Sequence, residues 1–108
     1  MLTEKDYCDL DTSHELWVMG LEPEAYYDGP LILLYEAQKF LREEKNALII
    51  VHPYTYNVVD ITHTWTYEIW FGDNLEDEIH NFKSYEEALS EGIKEVVKIL
   101  KEDETIHE

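Results

Sequence analysis

The sequence predicts one α+β domain, in which a short N-terminal helix precedes a helix, a three-stranded antiparallel sheet and a last helix. Apolar residues recur at helical spacing in 31–41 and in 88–100. Between these segments, β-branched and alternating residues are typical of strands. The length of 108 residues fits one domain. We expect residues 1–29 to hold the short helix and a loop, 30–102 the helix–sheet–helix core, and 103–108 a frayed tail.

The first two helices are predicted from their ends. Thr12-Ser13-His14-Glu15 fits a capping box that opens the short helix, and Gly20 suits its C-terminal stop. Residues 21–29 are predicted to form a loop. The second helix is expected to open near Pro30, since proline is favoured in a first turn, and to end at Asn46.

Three strands are predicted between this helix and the last one. The continuous apolar run within 47–56 indicates a strand covered on both faces. Residues 63–71 alternate with a period of two, which places His63, Trp65, Tyr67, Ile69 and Phe71 on one face. Residues 77–82 are expected to add a short third strand, and 57–62 fit either a hairpin loop or an extension of a neighbouring strand.

The last helix has the clearest start and an unusual interior glycine. Ser84-Tyr85-Glu86-Glu87 fits a second capping box, with acids in the first turn. Gly92 lies on the apolar stripe, where it costs about 1 kcal/mol relative to alanine, so we expect a close approach to another element there. The expected core consists of Leu34, Leu41, Ile49, Val51, Tyr67, Ile69, Leu89, Ile93 and Val96.

The charge balance excludes several kinds of partner. The chain has 25 acidic and 8 basic residues, a formal net charge of −17. Nucleic acid and anionic membranes both require positive charge, so we expect neither as a partner. The N-terminus lacks an apolar signal core, and no window approaches 18 apolar residues, so an intracellular, cytoplasmic location is expected. One cysteine, Cys8, forms no internal disulfide.

The sequence contains little evidence of catalytic or cofactor chemistry. His52, His63 and His80 are the candidate metal ligands, but they lack recognised zinc-site spacing, so we expect ordinary strand residues and no cofactor. Anionic neighbours suppress the reactive form of Cys8. Ser13 and His14 resemble a catalytic triad only in composition, because neighbours on one helical turn point in different directions.

Two sets of residues are the candidate interaction surfaces. Aromatic residues of the predicted sheet can form a partner hot spot, with Trp70, Tyr54 and Tyr56 as its candidates. Carboxylates of the last helix can attract a basic partner, with Glu86, Glu87 and Glu91 as candidates.

The helices resemble those of a family of small uncharacterised proteins encoded by phages and prophage-like elements of gut Bacteroides-type bacteria. The resemblance rests on the caps and stripes of 34–45 and 82–93 and on the short helix within 12–21. It implies a phage or mobile-element setting and carries over no activity. The order helix–three strands–helix also resembles the double-stranded-RNA-binding fold, but the acidic start of the last helix replaces the basic residues of that fold.

These observations favour a non-enzymatic acidic module that binds another protein. The partner is unidentified; a basic protein that normally holds nucleic acid would fit a mimic of nucleic-acid charge. A metal-dependent hydrolase using the strand histidines and a purely structural homo-oligomer remain the alternatives. A homodimer also stays open, because aromatic residues are expected on both faces of a short sheet.

Overall fold

The computed structural model describes residues 6–23, 25–26, 29–55 and 63–106, without the side chains of 54–55, 63 and 103–106. The protein is an α+β fold with an N-terminal helix, a second helix, a three-stranded antiparallel sheet and a last helix, as the sequence predicts. The elements are α1 (Leu10–Val18), β1 (Ala25–Tyr26), β2 (Pro30–Leu31), α2 (Leu34–Lys45), β3 (Ala47–Thr55), β4 (His63–Phe71), β5 (Asn74–Phe82) and α3 (Tyr85–Ile106).

The start of α1 differs from the predicted capping box. Asp9 is the N-cap, and its Oδ1 accepts a hydrogen bond from the Thr12 N–H at 2.7 Å. Aspartate and threonine both cap helices well. Asp9 takes this position because the helix begins two residues earlier than predicted, at Leu10, and Thr12 and Ser13 are buried inside it.

The start of α2 also differs from the prediction. Pro30 belongs to β2, which pairs antiparallel with β1 in a two-stranded ribbon inside the segment predicted to be loop and helix start. The helix therefore begins at Leu34, after Leu33 in extended conformation. Its predicted end is confirmed, since Asn46 adopts the left-handed conformation with φ of 55°.

The main sheet has the strand order β3-β4-β5, and the helices cover one of its faces. Ala47 and Ile49 of β3 and Tyr67 and Ile69 of β4 are buried in the core on that face. Alternate residues of β3 point away from the helices and stay exposed, so the expectation of a strand covered on both faces is wrong. Strand β5 is longer than predicted and contains two register shifts against β4.

The core joins all three helices to the covered face of the sheet. Every residue expected in the core is buried except Val51, which is half-buried and packs against it. At Gly92 a Cβ atom would lie only 3.0 Å from Cγ2 of Ile49, so the expected close approach is present. Gln38 of α2 donates a hydrogen bond to the Ile49 carbonyl at 2.9 Å and thereby covers part of the outer edge of β3.

The predicted cap of α3 is present. The Ser84 hydroxyl accepts from the Glu87 N–H at 3.1 Å, and the Glu87 carboxylate accepts from the Lys83 N–H at 3.0 Å. The helix then continues to Ile106, beyond the point at which we expected fraying.

Candidate functional site

The side of the main sheet that faces away from α2 and α3 is hereafter called the open face. Its residues lie in cross-strand rows, which the register fixes. One row is Leu48, Trp70 and Leu75, and the next is Ile50, Glu68 and Glu78. His52 pairs with Thr66 in the third row. This face therefore has two adjoining parts. We call Leu48, Ile50, Trp70 and Leu75 the apolar strip, and His52, Thr66, Glu68, Glu78 and His80 the polar cluster.

The apolar strip is exposed. Leu48 is 39 % exposed, Ile50 38 % and Leu75 47 %. Trp70 lies between the two leucines and is half-buried. Apolar side chains that adjoin one another on a sheet face are typical of a contact surface.

The polar cluster joins all three strands. His52 Nε2 lies 2.7 Å from Glu68 Oε2, and the other oxygen of Glu68 accepts from the Trp70 indole N–H at 3.0 Å. Glu78, on β5, completes a group of three whose ligand atoms lie within 4.8 Å of one another. Its Oε1 is 3.6 Å from His80 Nε2.

Two further groups orient the histidines of this cluster. The Pro53 carbonyl accepts a hydrogen bond from His52 Nδ1 at 3.1 Å. The Thr66 hydroxyl and His80 Nδ1 share a hydrogen bond of 2.7 Å. The pKa of His52 is raised, chiefly because the Pro53 carbonyl favours the protonated ring; burial opposes this effect, and Glu68 adds to it.

The charge of the open face is one-sided. No lysine or arginine occurs anywhere between residues 47 and 82, so histidines are the only side chains there that can carry positive charge. Glu68 and Glu78 are direct partners across β4 and β5, so two carboxylates face each other in one row. Like charges in this position destabilise a sheet.

The structure brings only some of the predicted site residues together. His52, His80 and Trp70 meet at the open face. Tyr54 belongs to β3 but its side chain, like that of His63, lies outside the described residues, and so does Tyr56 altogether. Glu78 is not among the site residues predicted from the sequence, because its position opposite Glu68 depends on a register shift in β5.

The acids of α3 lie at the start of that helix, which packs on the covered face of the sheet. Glu87 serves the helix cap, and Glu91 Oε1 is 3.2 Å from Lys94 Nζ. Glu86 is half-buried in the first turn. Two of the three predicted interaction carboxylates therefore already have partners within the chain.

The thiol and the hydroxyl near the N-terminus have structural surroundings. Burial, and next the charge of Asp9, raise the pKa of Cys8 to about 12. The Ser13 hydroxyl is buried and donates to the Cys8 carbonyl at 3.4 Å, so it does not meet His14, which is exposed.

Two other surface features lie near α1. A groove of about 890 Å³ between α1 and α3 is lined by charged side chains, and the Lys101–Glu15 ion pair of 3.0 Å spans these two helices. A second apolar patch consists of Trp17, Val18 and Tyr26, all exposed, with the two aromatic rings in edge contact.

No protein-family model, curated protein or solved structure matches the chain. Among the described residues, no helix is long and apolar enough to cross a membrane.

Proposed function

We propose that the protein is a non-enzymatic acidic module that binds a basic partner protein through the open face of its main sheet. The observation that carries this proposal is the exposed strip of Leu48, Ile50 and Leu75 beside Glu68 and Glu78, on strands without lysine or arginine. Apolar contact would supply affinity, and the carboxylates would select a partner that carries lysine and arginine.

The same charge pattern favours a different protein over a second copy of this chain. A two-fold dimer brings the same patch of both copies together. On the open face, this would set Glu68 and Glu78 near their own equivalents. A basic protein would meet complementary charge instead, and one that normally holds nucleic acid offers such a surface.

The carboxylates of α3 have a separate role in this proposal. Glu86, Glu87 and Glu91 add to the net charge of −17 and would attract a basic partner over a distance of about 8 Å at physiological salt. They would speed encounter, whereas the apolar strip would slow dissociation. The resemblance of the helices to phage-encoded proteins supports a setting in the cytoplasm of a bacterial host.

Capture from a bacterial lysate, with purified chain immobilised, tests the proposal. We expect a basic protein to be retained by the wild type and lost with the double variant Leu48→Ser/Leu75→Ser. Val18→Ser/Tyr26→Ser is the matched control, because it removes exposed apolar side chains from the other patch. Added duplex DNA should displace the partner if the chain mimics nucleic-acid charge.

Three results would contradict the proposal. The first is retention of no basic protein, and the second is retention that the sheet variant leaves unchanged. The third is loss of binding with the α1 and β1 control alone, which would assign the contact to Trp17, Val18 and Tyr26.

A further inference from the structure

The polar cluster of the open face has the composition of a transition-metal site. His52 on β3, Glu68 on β4 and Glu78 on β5 each offer a ligand atom, and these atoms lie within 4.8 Å of one another. An imidazole nitrogen with two carboxylates suits Zn²⁺, whereas Mg²⁺ and Ca²⁺ prefer oxygen ligands alone. We propose that His52, Glu68 and Glu78 bind one Zn²⁺ ion on the open face.

The separations fit such a site after a small movement. Zinc bonds of 2.0 to 2.2 Å place two tetrahedral ligands about 3.4 Å apart. His52 Nε2 and Glu68 Oε2 are already 2.7 Å apart, so they need only open slightly. Glu78 lies on an edge strand with 42 % of its side chain exposed, and rotation of this side chain can close a gap of at most about 1.4 Å, the difference between 4.8 and 3.4 Å.

Hydrogen bonds with other groups orient two of the three ligands, His52 and Glu68, as is usual for metal ligands in proteins. The Pro53 carbonyl accepts from His52 Nδ1, so the ring turns Nε2 toward Glu68, and Zn²⁺ would take the place of the Nε2 proton that Glu68 Oε2 now accepts. The Trp70 indole donates to Glu68 Oε1 and leaves Oε2 for the metal. His80 Nε2 lies 3.6 Å from Glu78 Oε1, and Thr66 holds the other nitrogen of His80.

The charges of the two glutamate ligands also favour a cation at this place. Glu68 and Glu78 are direct cross-strand partners, and the side chain of Glu68 is only 19 % exposed. Two negative charges so placed repel each other. A divalent ion bound between them would cancel this repulsion, and three protein ligands would leave a fourth position for water or a side chain of a partner.

Calorimetric titration of ZnCl₂ into untagged, EDTA-dialysed protein tests the site without any partner protein. Failure of this test leaves the proposed function standing, whereas a bound Zn²⁺ would neutralise Glu68 and Glu78 and leave the net charge of −17 on the whole chain to attract a basic partner. We expect one equivalent of Zn²⁺ to bind, with Mg²⁺ and Ca²⁺ at least tenfold weaker. The variants His52→Ala and Glu78→Gln should each weaken Zn²⁺ binding at least tenfold, because even the groups that orient ligands contribute about 10- to 100-fold.

Matched controls separate this site from adventitious binding. His14→Ala and Glu43→Gln remove an exposed histidine and an exposed glutamate elsewhere, and both should keep the wild-type affinity. In NMR spectra, Zn²⁺ should shift the Trp70 indole N–H signal, which reports on Glu68. Glu78 is exposed, so Glu78→Gln keeps the test decisive even if His52→Ala does not fold.

The proposal is overturned if no Zn²⁺ binds at 100 μM. It is equally overturned if Glu78→Gln binds Zn²⁺ as tightly as the wild type, or if His14→Ala alone abolishes binding.

Discussion

Substitution of Gly92 by alanine should destabilise the protein, against the usual preference of helices for alanine. The new Cβ would lie 3.0 Å from Ile49 Cγ2 and 3.4 Å from Tyr67 Cγ. Carbon atoms prefer a separation of 3.5 to 4.0 Å, so Ile49 or α3 must move by about 0.5 Å. Ile49 and Tyr67 are both buried in the core, where neighbouring atoms resist this movement.

The balance of two energies sets the expected effect. Alanine gains about 1 kcal/mol of helix propensity over glycine. Overpacking in a filled core costs about 1 to 3 kcal/mol. The net loss of unfolding free energy is therefore about 1 kcal/mol, which lowers the melting temperature by about 4 to 8 °C in a domain of this size.

Urea denaturation followed by tryptophan fluorescence measures this loss. Lys98→Ala, at an exposed position of the same helix, is the control and should leave the midpoint nearly unchanged. In the Ile49→Ala background the penalty should shrink or reverse, because the closest contact is gone. A Gly92→Ala protein that is about 1 kcal/mol more stable than the wild type would refute the close approach of α3 to β3.

Three further predictions concern the N-terminal segment and the edge of the sheet. At pH 8 the Cys8 thiol of the native protein should react with Ellman's reagent far more slowly than that of the protein unfolded in guanidinium chloride. The reason is that a pKa of about 12 leaves roughly one native thiol in ten thousand as the reactive thiolate. Equal reaction rates would contradict the burial of Cys8. Asp9→Ala should cost about 1 kcal/mol at pH 7, since the cap of α1 is lost. Burial raises the pKa of Asp9, but hydrogen bonds from Thr12 and Lys94 outweigh it, so the folded pKa lies below its usual value. The cost of the substitution should therefore shrink as the pH falls through that lower pKa, and a cost that does not decline on acidification would contradict the charge-based reason. Gln38→Ala should cost about 1 kcal/mol in urea denaturation by removing the hydrogen bond to Ile49, whereas an unchanged midpoint would show that this edge contact adds nothing.

The sequence predicts the long elements because their patterns are strong and local. The apolar stripe and cap of α3 and the alternation of β4 follow from side-chain spacing alone, and both elements are confirmed. The first residues of the helices are harder to predict from the sequence, because several residues near each start can cap or begin a helix. Asp9 rather than Thr12 caps α1, and Pro30 joins a two-residue strand.

The polar cluster could be predicted only in part, because it depends on register. A two-residue turn at Gly72 and Asp73 with regular pairing would place Asp77 opposite Glu68. The register shift between Ile69 and Trp70 moves β5 by one residue and places Glu78 there instead. A shift of one residue exchanges the two faces of a strand, and the sequence contains no marker for it.

The exposed side of β3 was missed for a related reason. A continuous apolar run is typical of a strand covered on both faces, and Leu48 and Ile50 complete such a run. Helices α2 and α3, however, pack on the same face of the sheet, so the side chains of Leu48 and Ile50 remain uncovered within the described chain. The proposal that the open face is a contact surface rests on this exposed apolar strip.

The most direct test of this account is the affinity of the captured partner for the wild type and for Leu48→Ser/Leu75→Ser, measured in EDTA at physiological salt. Complete burial of a leucine is worth about 1.5 to 3 kcal/mol. The exposed fractions of 39 % and 47 % together approach one leucine, so their loss should cost about 1.3 to 2.6 kcal/mol. We expect a dissociation constant about 9- to 70-fold larger for the variant, mainly through faster dissociation. Equal dissociation constants for the two proteins would contradict the claim that the open face binds the partner.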